Sequence, residues 1–198
     1  MTGNKIVLDL ETQKTFEQVG GRNYEDLLIS VVGIYRYDND AYECYLEPEL
    51  HHLENLLIDC EMVIGFNHRK FDMPVFQHYA HVDTSKFPML DLMEDIANTI
   101  GHRVSLDSVA KATLNVGKTG HGLDAIDYFK DGEWEKLKSY CLNDVKITKE
   151  VYEYGVQNGH VYYMTRDGMD RRSVRVNWAD YEVEEKAAVG GGQYNLAF

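Results

Sequence analysis

Lys5-Ile6-Val7-Leu8-Asp9-Leu10-Glu11-Thr12 is an apolar run interrupted by two acids, and it reads as a buried strand. Side chains two apart on a strand leave from the same face, so Asp9 and Glu11 point into one space. Far along the chain, Tyr140-Cys141-Leu142-Asn143-Asp144 falls inside a long helical pattern. Residues four apart on a helix share a face, which puts Tyr140 beside Asp144. Between them, the segment from Val63 to Asp72 reads as strand, turn and helix start and delivers Asp72. Hard oxygen ligands brought from separate elements suit Mg²⁺ or Mn²⁺. The four carboxylates of Asp9, Glu11, Asp72 and Asp144 are therefore expected to converge at one end of a central sheet.

The 198 residues are long enough to bury a core, and 44% hydrophobic with 12% aromatic content argues against disorder. No apolar run reaches the length of a membrane span, and the first residues lack the features of a signal peptide. Cys44, Cys60 and Cys141 are odd in number and contain no Cys-x-x-Cys pair, so neither a disulfide framework nor a zinc knuckle is indicated. The expectation is a reduced, cytoplasmic setting with no membrane partner. The formal charge of −13 runs against the basic surface that phosphate binding normally needs. Positive charge is concentrated, however, in Arg103, Lys111 and Lys118 and again in Arg166, Arg171, Arg172 and Arg175.

Strands are expected at roughly residues 4–11, 27–37 and 41–46, the last two joined by the turn-forming Asp38-Asn39-Asp40. Glu49 to Asp59 has leucines at helical spacing, and Met62 to Phe66 is a short buried strand. Helical stretches follow near 70–79, 91–100, 105–114, 123–129 and 133–155. Val161–Thr165 and Ser173–Trp178 form a hairpin around Asp167-Gly168. This order predicts an α/β fold, a mixed β-sheet flanked by α-helices with a C-terminal β-hairpin. The expected division is residues 1–158 as the main domain and 159–198 as a hairpin and tail packed on it or extending it.

Three motifs, in order, resemble those of the DEDD 3′–5′ exonucleases. Asp9-Leu10-Glu11-Thr12 is similar to the family's Asp-x-Glu-Thr, and Asn67-His68-Arg69-Lys70-Phe71-Asp72 to its Asn-x-x-x-Phe-Asp. Tyr140-x-x-x-Asp144 matches the tyrosine subclass; the histidine subclass would need His where Ser139 stands. Within the class the chain looks most like small bacterial and archaeal exonuclease domains related to the proofreading domain of family B DNA polymerases. The resemblance spans roughly residues 4–155. It implies the ribonuclease-H-like fold and a metal-dependent 3′–5′ exonuclease hydrolysing phosphodiester bonds by a two-metal mechanism. It also implies that Asp9, Glu11, Asp72 and Asp144 hold two Mg²⁺ or Mn²⁺ and that Tyr140 orients the attacking water. The substrate would be a single-stranded or frayed DNA or RNA end, with a helicase or other processing protein as partner. The rival reading is a nucleic-acid-binding or accessory subunit of a processing complex that keeps the fold without turnover.

Four further residues are read as substrate contacts, each beside a plainer alternative. Thr12 lies near the terminal nucleotide by resemblance, or makes a turn-side hydrogen bond. Asn67 contacts a substrate sugar or phosphate, or caps the helix that follows. The glycine-rich segment Leu114–Gly122 brings Lys118 and His121 to a phosphate, or is a connector. It is not a nucleotide-triphosphate loop, because Ala112 stands where the first glycine belongs. Phe71 is read as core. The arginine-rich hairpin is read as a solvated or partner-facing ribbon.

Overall fold

The computed structural model describes residues 4–117 and 122–181. Lys118, His121 and the tail beyond Tyr181 lie outside the described residues. The centre is a five-stranded sheet in the order β3-β2-β1-β4-β5, formed by β1 (Lys5–Thr12), β2 (Ile29–Arg36), β3 (Ala41–Tyr45), β4 (Met62–Gly65) and β5 (Met89–Asp91). β2 is antiparallel to both β1 and β3, whereas β4 lies parallel to β1 and β5 parallel to β4. The sheet is therefore mixed, as the meander followed by β–α alternation predicts.

The alternation along β1 divides the core between two layers. Ile6, Leu8 and Leu10 pack with Leu50, Leu53 and Leu57 of α1 (Leu50–Ile58) and with Met73, Val75 and Phe76 of α2 (Asp72–Phe76). Val7 faces the other way. It joins Leu92 and Ile96 of α3 (Leu92–Ile100), Val109 and Ala110 of α4 (Leu106–Leu114), and Val145, Val151 and Tyr152 of α6 (Trp134–Asn158). α5 (Gly122–Lys130) leads into α6. Asp9 and Glu11 continue the Val7 series, so they face the α6 layer while their even-numbered neighbours anchor the strand to the other. Among the described residues no helix is long and apolar enough to cross a membrane.

Three elements depart from the expectation, one of them the second hairpin strand, which is Arg171–Arg175 where residues 173–178 were expected. β5 was not foreseen; its three residues are too few to show a period and are strand only because β4 pairs with them. α2 spans Asp72–Phe76 instead of residues 70–79. Pro74 explains its late start, since a proline ring clashes with the carbonyl four residues back and is tolerated only in a first turn.

The hairpin forms as β6 (His160–Met164) and β7 (Arg171–Arg175), with Gly168 at φ 71° in its turn. The chain after it is pinned down by Trp178. That ring is fully buried, donates from Nε1 to Asp95 at 2.7 Å and lies against Gly155, where a Cβ would come within 2.2 Å of it.

At the end of β4, Gly65 makes room for the imidazole of His68, whose Cγ would sit 2.6 Å from any Cβ at that position. His68 is completely buried with both ring nitrogens lacking a hydrogen bond, and the Asp91 carboxylate at 3.7 Å is too distant to supply one. Burial pushes its pKa down to about 4, against the opposing pull of Asp91. A histidine takes up a proton near pH 6.5 when unfolded, so its contribution to stability is complete above that pH and is lost as the pH falls towards 4. Urea midpoints for wild type should therefore drop between pH 6.5 and 4.5 more steeply than for His68→Gln. Parallel pH profiles would contradict this origin of the acid sensitivity.

Candidate active site

α6 crosses the sheet closely where β1 and β2 pair. Asp9 on β1 pairs with Gly33 on β2, and an added Cβ at Gly33 would lie 2.9 Å from Cys141 Sγ and 3.1 Å from Val145 Cγ2. Cys141 Sγ in turn reaches the Asp9 carbonyl at 3.5 Å. The missing side chain at Gly33 lets α6 settle onto the sheet beside Asp9, and the flanking helical positions 140 and 144 come with it.

The result is a cluster in which one carboxylate oxygen from each of Asp9, Glu11 and Asp144 lies within 4.8 Å of the others. Opposite oxygen ligands of an octahedral Mg²⁺ stand about 4.2 Å apart, at ~2.1 Å from the ion each, so this hard-oxygen set fits a divalent cation. Asp9 and Glu11 are half-buried and Asp144 is buried, which strengthens both their mutual repulsion and their attraction for a cation.

Tyr140 is 7% exposed and shares the electrostatic field of this cluster. Burial raises its pKa well above the ordinary tyrosine range, with Glu11, Asp144, Asp9 and Asp124 adding to the shift. Its hydroxyl is thus firmly protonated near neutral pH, a donor and not a base.

Asp72 is outside this group of three. It arrives from the α1–α2 layer past the end of the β1–β4 pairing, and its Oδ1 accepts the Leu10 N–H at 3.1 Å. The carboxyl therefore lies against the Asp9–Leu10 peptide. Burial pushes its pKa up to about 7, with Asp91 adding to the shift, while its own N–H and that of Leu10 oppose it.

The softer assignments sort as follows. The Thr12 hydroxyl is engaged in the turn, donating to Lys14 O at 2.8 Å. Asn67 does not cap α2: its cap position is Phe71, without a side-chain hydrogen bond. Asn67 sits at φ 69°, gives its N–H to Asp91 and accepts the Arg103 guanidinium at Oδ1. Lys118 and His121 fall outside the described residues.

Beside the cluster, a cavity of about 290 Å³ is lined by Glu11, Thr12, Phe16, Leu27, Phe71 and Ile126 among others. Phe71, expected in the core, is half-buried: it packs against the core and also forms part of this wall, with its ring edge-on to Phe16 at 5.9 Å. A second opening of about 390 Å³ runs between α5 and α6 past Tyr140. Glu11 and Tyr140 thus connect the cluster to open space. Sequence reading missed Gly33, Cys141, Phe16 and Asp124 as parts of this neighbourhood. Only Gly33 carried a signal, as a lone glycine inside a strand pattern.

A family model described as RNase_H superfamily matches residues 6–156. The chain belongs to the RNase H superfamily. The mixed five-stranded sheet with flanking helices is this RNase H-like fold. No curated protein sequence matches the chain. Among solved structures, it is similar to the family B DNA polymerase from the hyperthermophilic archaeon Pyrobaculum calidifontis, at 16% identity and a TM-score of 0.60. That alignment covers 79% of this chain and 25% of the polymerase. It is also similar to Trypanosoma brucei RNase D, at 17% identity and a TM-score of 0.58, covering 95% of this chain and 65% of that one. At these identities the likeness is one of fold.

Replacing Gly33 with Ala should force α6 away from Asp9 and lower stability by about 1–3 kcal/mol, the usual cost of overpacking. Adding Cys141→Ala removes the nearest clashing atom and should recover part of the loss. Urea unfolding of the single and double variants checks this. A Gly33→Ala protein as stable as wild type would show that the crossing tolerates a side chain.

Proposed function

We propose that this RNase H superfamily protein is a metal-dependent 3′–5′ exonuclease acting on a single-stranded or frayed nucleic-acid end. The observation that carries the reading is the gathering of Asp9, Glu11 and Asp144 within 4.8 Å, with Tyr140 in the same field. Superfamily membership and the fold shared with a family B DNA polymerase and an RNase D support it.

In this reading Asp9, Glu11 and Asp144 would hold two divalent cations, Mg²⁺ or Mn²⁺. Bound there, such ions supply positive charge for the phosphodiester and lower the pKa of an attacking water. Asp72 would be the fourth acid of the set, meeting a cation as the carboxylate and not as the protonated acid that burial favours. Tyr140 keeps its proton and positions the water or a phosphate oxygen by donating a hydrogen bond. The apolar cavity that shares Glu11 with the cluster takes the terminal base and sugar, with the rings of Phe16 and Phe71 as its aromatic surfaces. A cavity beside the acids that takes one terminal nucleoside would be the basis for attack at an end instead of within a strand.

Incubation with end-labelled single- and double-stranded DNA and RNA, in Mg²⁺, Mn²⁺ or EDTA, tests the proposal. Shortening from the 3′ end should require the metal and disappear in Asp9→Ala and Asp144→Ala. Tyr140→Phe should slow the reaction by about 10²–10⁴-fold, the range for an orienting or acid–base group. No metal-dependent shortening of any substrate would leave a nucleic-acid-binding protein without turnover, and a wild-type rate in Tyr140→Phe would remove the role given to its hydroxyl.

A further inference from the structure

Against a formal charge of −13, one cleft is locally basic. A cavity of about 300 Å³ opens between the start of α4 and the β6–β7 hairpin, and Arg103, Lys111 and Arg166 line it together with His102. Asp107 is the one carboxylate among its lining residues. The first turn of α4 adds the positive end of a helix dipole, with Ser105 as its cap.

The walls of this cleft are held in register. Ser108 Oγ accepts the Met164 N–H at 3.0 Å and donates to Met164 O at 3.1 Å, and Thr113 Oγ1 makes the same reciprocal pair with Tyr162 at 2.9 Å each. Arg171 donates from Nε to Ala112 O at 2.7 Å while its guanidinium lies 3.5 Å over the Tyr162 ring. The hairpin, which falls after the matched residues 6–156, is thus fixed to α4 and presents Arg166 opposite Arg103 and Lys111. On its other side Arg103 ties the cleft to the segment that leads to Asp72. Arg103 Nη2 donates to Asn67 Oδ1 at 2.5 Å, and Asn67 opens the loop that carries Asp72.

We infer that this cleft binds the phosphate backbone of the nucleic-acid strand whose end lies at the acid cluster. The inference rests on the exonuclease reading for the direction of the strand. It gives an acidic protein the few phosphate contacts it needs, on a surface built partly from the appended hairpin. Contacts of this kind carry charge but no base recognition, so they act on strands long enough to reach the cleft and act alike on all sequences.

The test is fluorescence anisotropy in Mg²⁺ with a 12-nucleotide phosphorothioate single strand, which resists hydrolysis, and with the matching dinucleotide. Lys111→Glu/Arg166→Glu should weaken binding of the 12-mer at least ten-fold and leave dinucleotide binding as in wild type. Lys111→Gln/Arg166→Gln removes charge without adding acid, should give a smaller loss, and serves if the reversal variant misfolds. Loss of two phosphate contacts should lower the log–log salt slope by about 1.4, at ~0.7 per contact for a single strand. Unchanged 12-mer affinity and slope in both variants, or no 12-mer binding by wild type, would overturn the inference. So would equal binding of poly-glutamate, which would make the cleft a site for acidic chains in general. Binding to an uncleavable strand needs no turnover, so a wild type that binds through the cleft yet digests nothing would sink the exonuclease reading alone.

Discussion

α6 lies on the sheet with no side chain between it and β2 at Gly33. That contact sets the position of everything else at the candidate site. Asp9 pairs with Gly33 in the sheet, Cys141 fills the space above the pair, and Tyr140 and Asp144 flank Cys141 on the same helix. A bulkier residue at position 33 moves two of the site's residues at once, because a helix shifts as a unit. The rest of the fold keeps this crossing in place: α1 and α2 clamp β1 from below through Ile6, Leu8 and Leu10, and the Val145–Tyr152 half of α6 is packed against α3, α4 and Trp178.

Holding three carboxylates within 4.8 Å of one another is electrostatically unfavourable, and packing on both sides of β1 helps to hold them there. The apolar layers on both sides of β1 are what keep Asp9 and Glu11 from swinging apart. Burial likewise raises the pKa of Tyr140 and of Asp72, favouring the protonated form of each. Such a site attracts divalent cations and repels bare phosphate. Positive charge collects elsewhere on the surface, in the Arg103–Lys111–Arg166 cleft.

Much of this was legible in the residues. The Asp9-x-Glu11 alternation reported a strand with an acidic face because the period of two survives any tertiary context. Likewise the i, i+4 pair of Tyr140 and Asp144 follows from the helical period alone. What stayed hidden depends on neighbours distant in sequence. β5 is strand only by pairing with β4, and Asp72 turns to Leu10 because β4 ends before it and leaves that N–H to be satisfied. The hairpin was legible from Asp167-Gly168, but its docking on α4 rests on Ser108, Thr113 and Arg171, whose hydrogen bonds have no local signature. Phe71 reads as core by hydrophobicity; it packs against the core from its edge and also walls a cavity.

The central claim is that the β1–α6 crossing builds a divalent-cation site. Titration of the protein with Mn²⁺, followed by isothermal calorimetry or by loss of the free-ion electron paramagnetic resonance signal, tests it most directly. Wild type should bind up to two ions per chain, and both Asp144→Asn and Gly33→Val should lose that binding while retaining helical circular dichroism. Mn²⁺ binding that is absent in wild type, or unchanged when Asp144 loses its charge, would contradict the account.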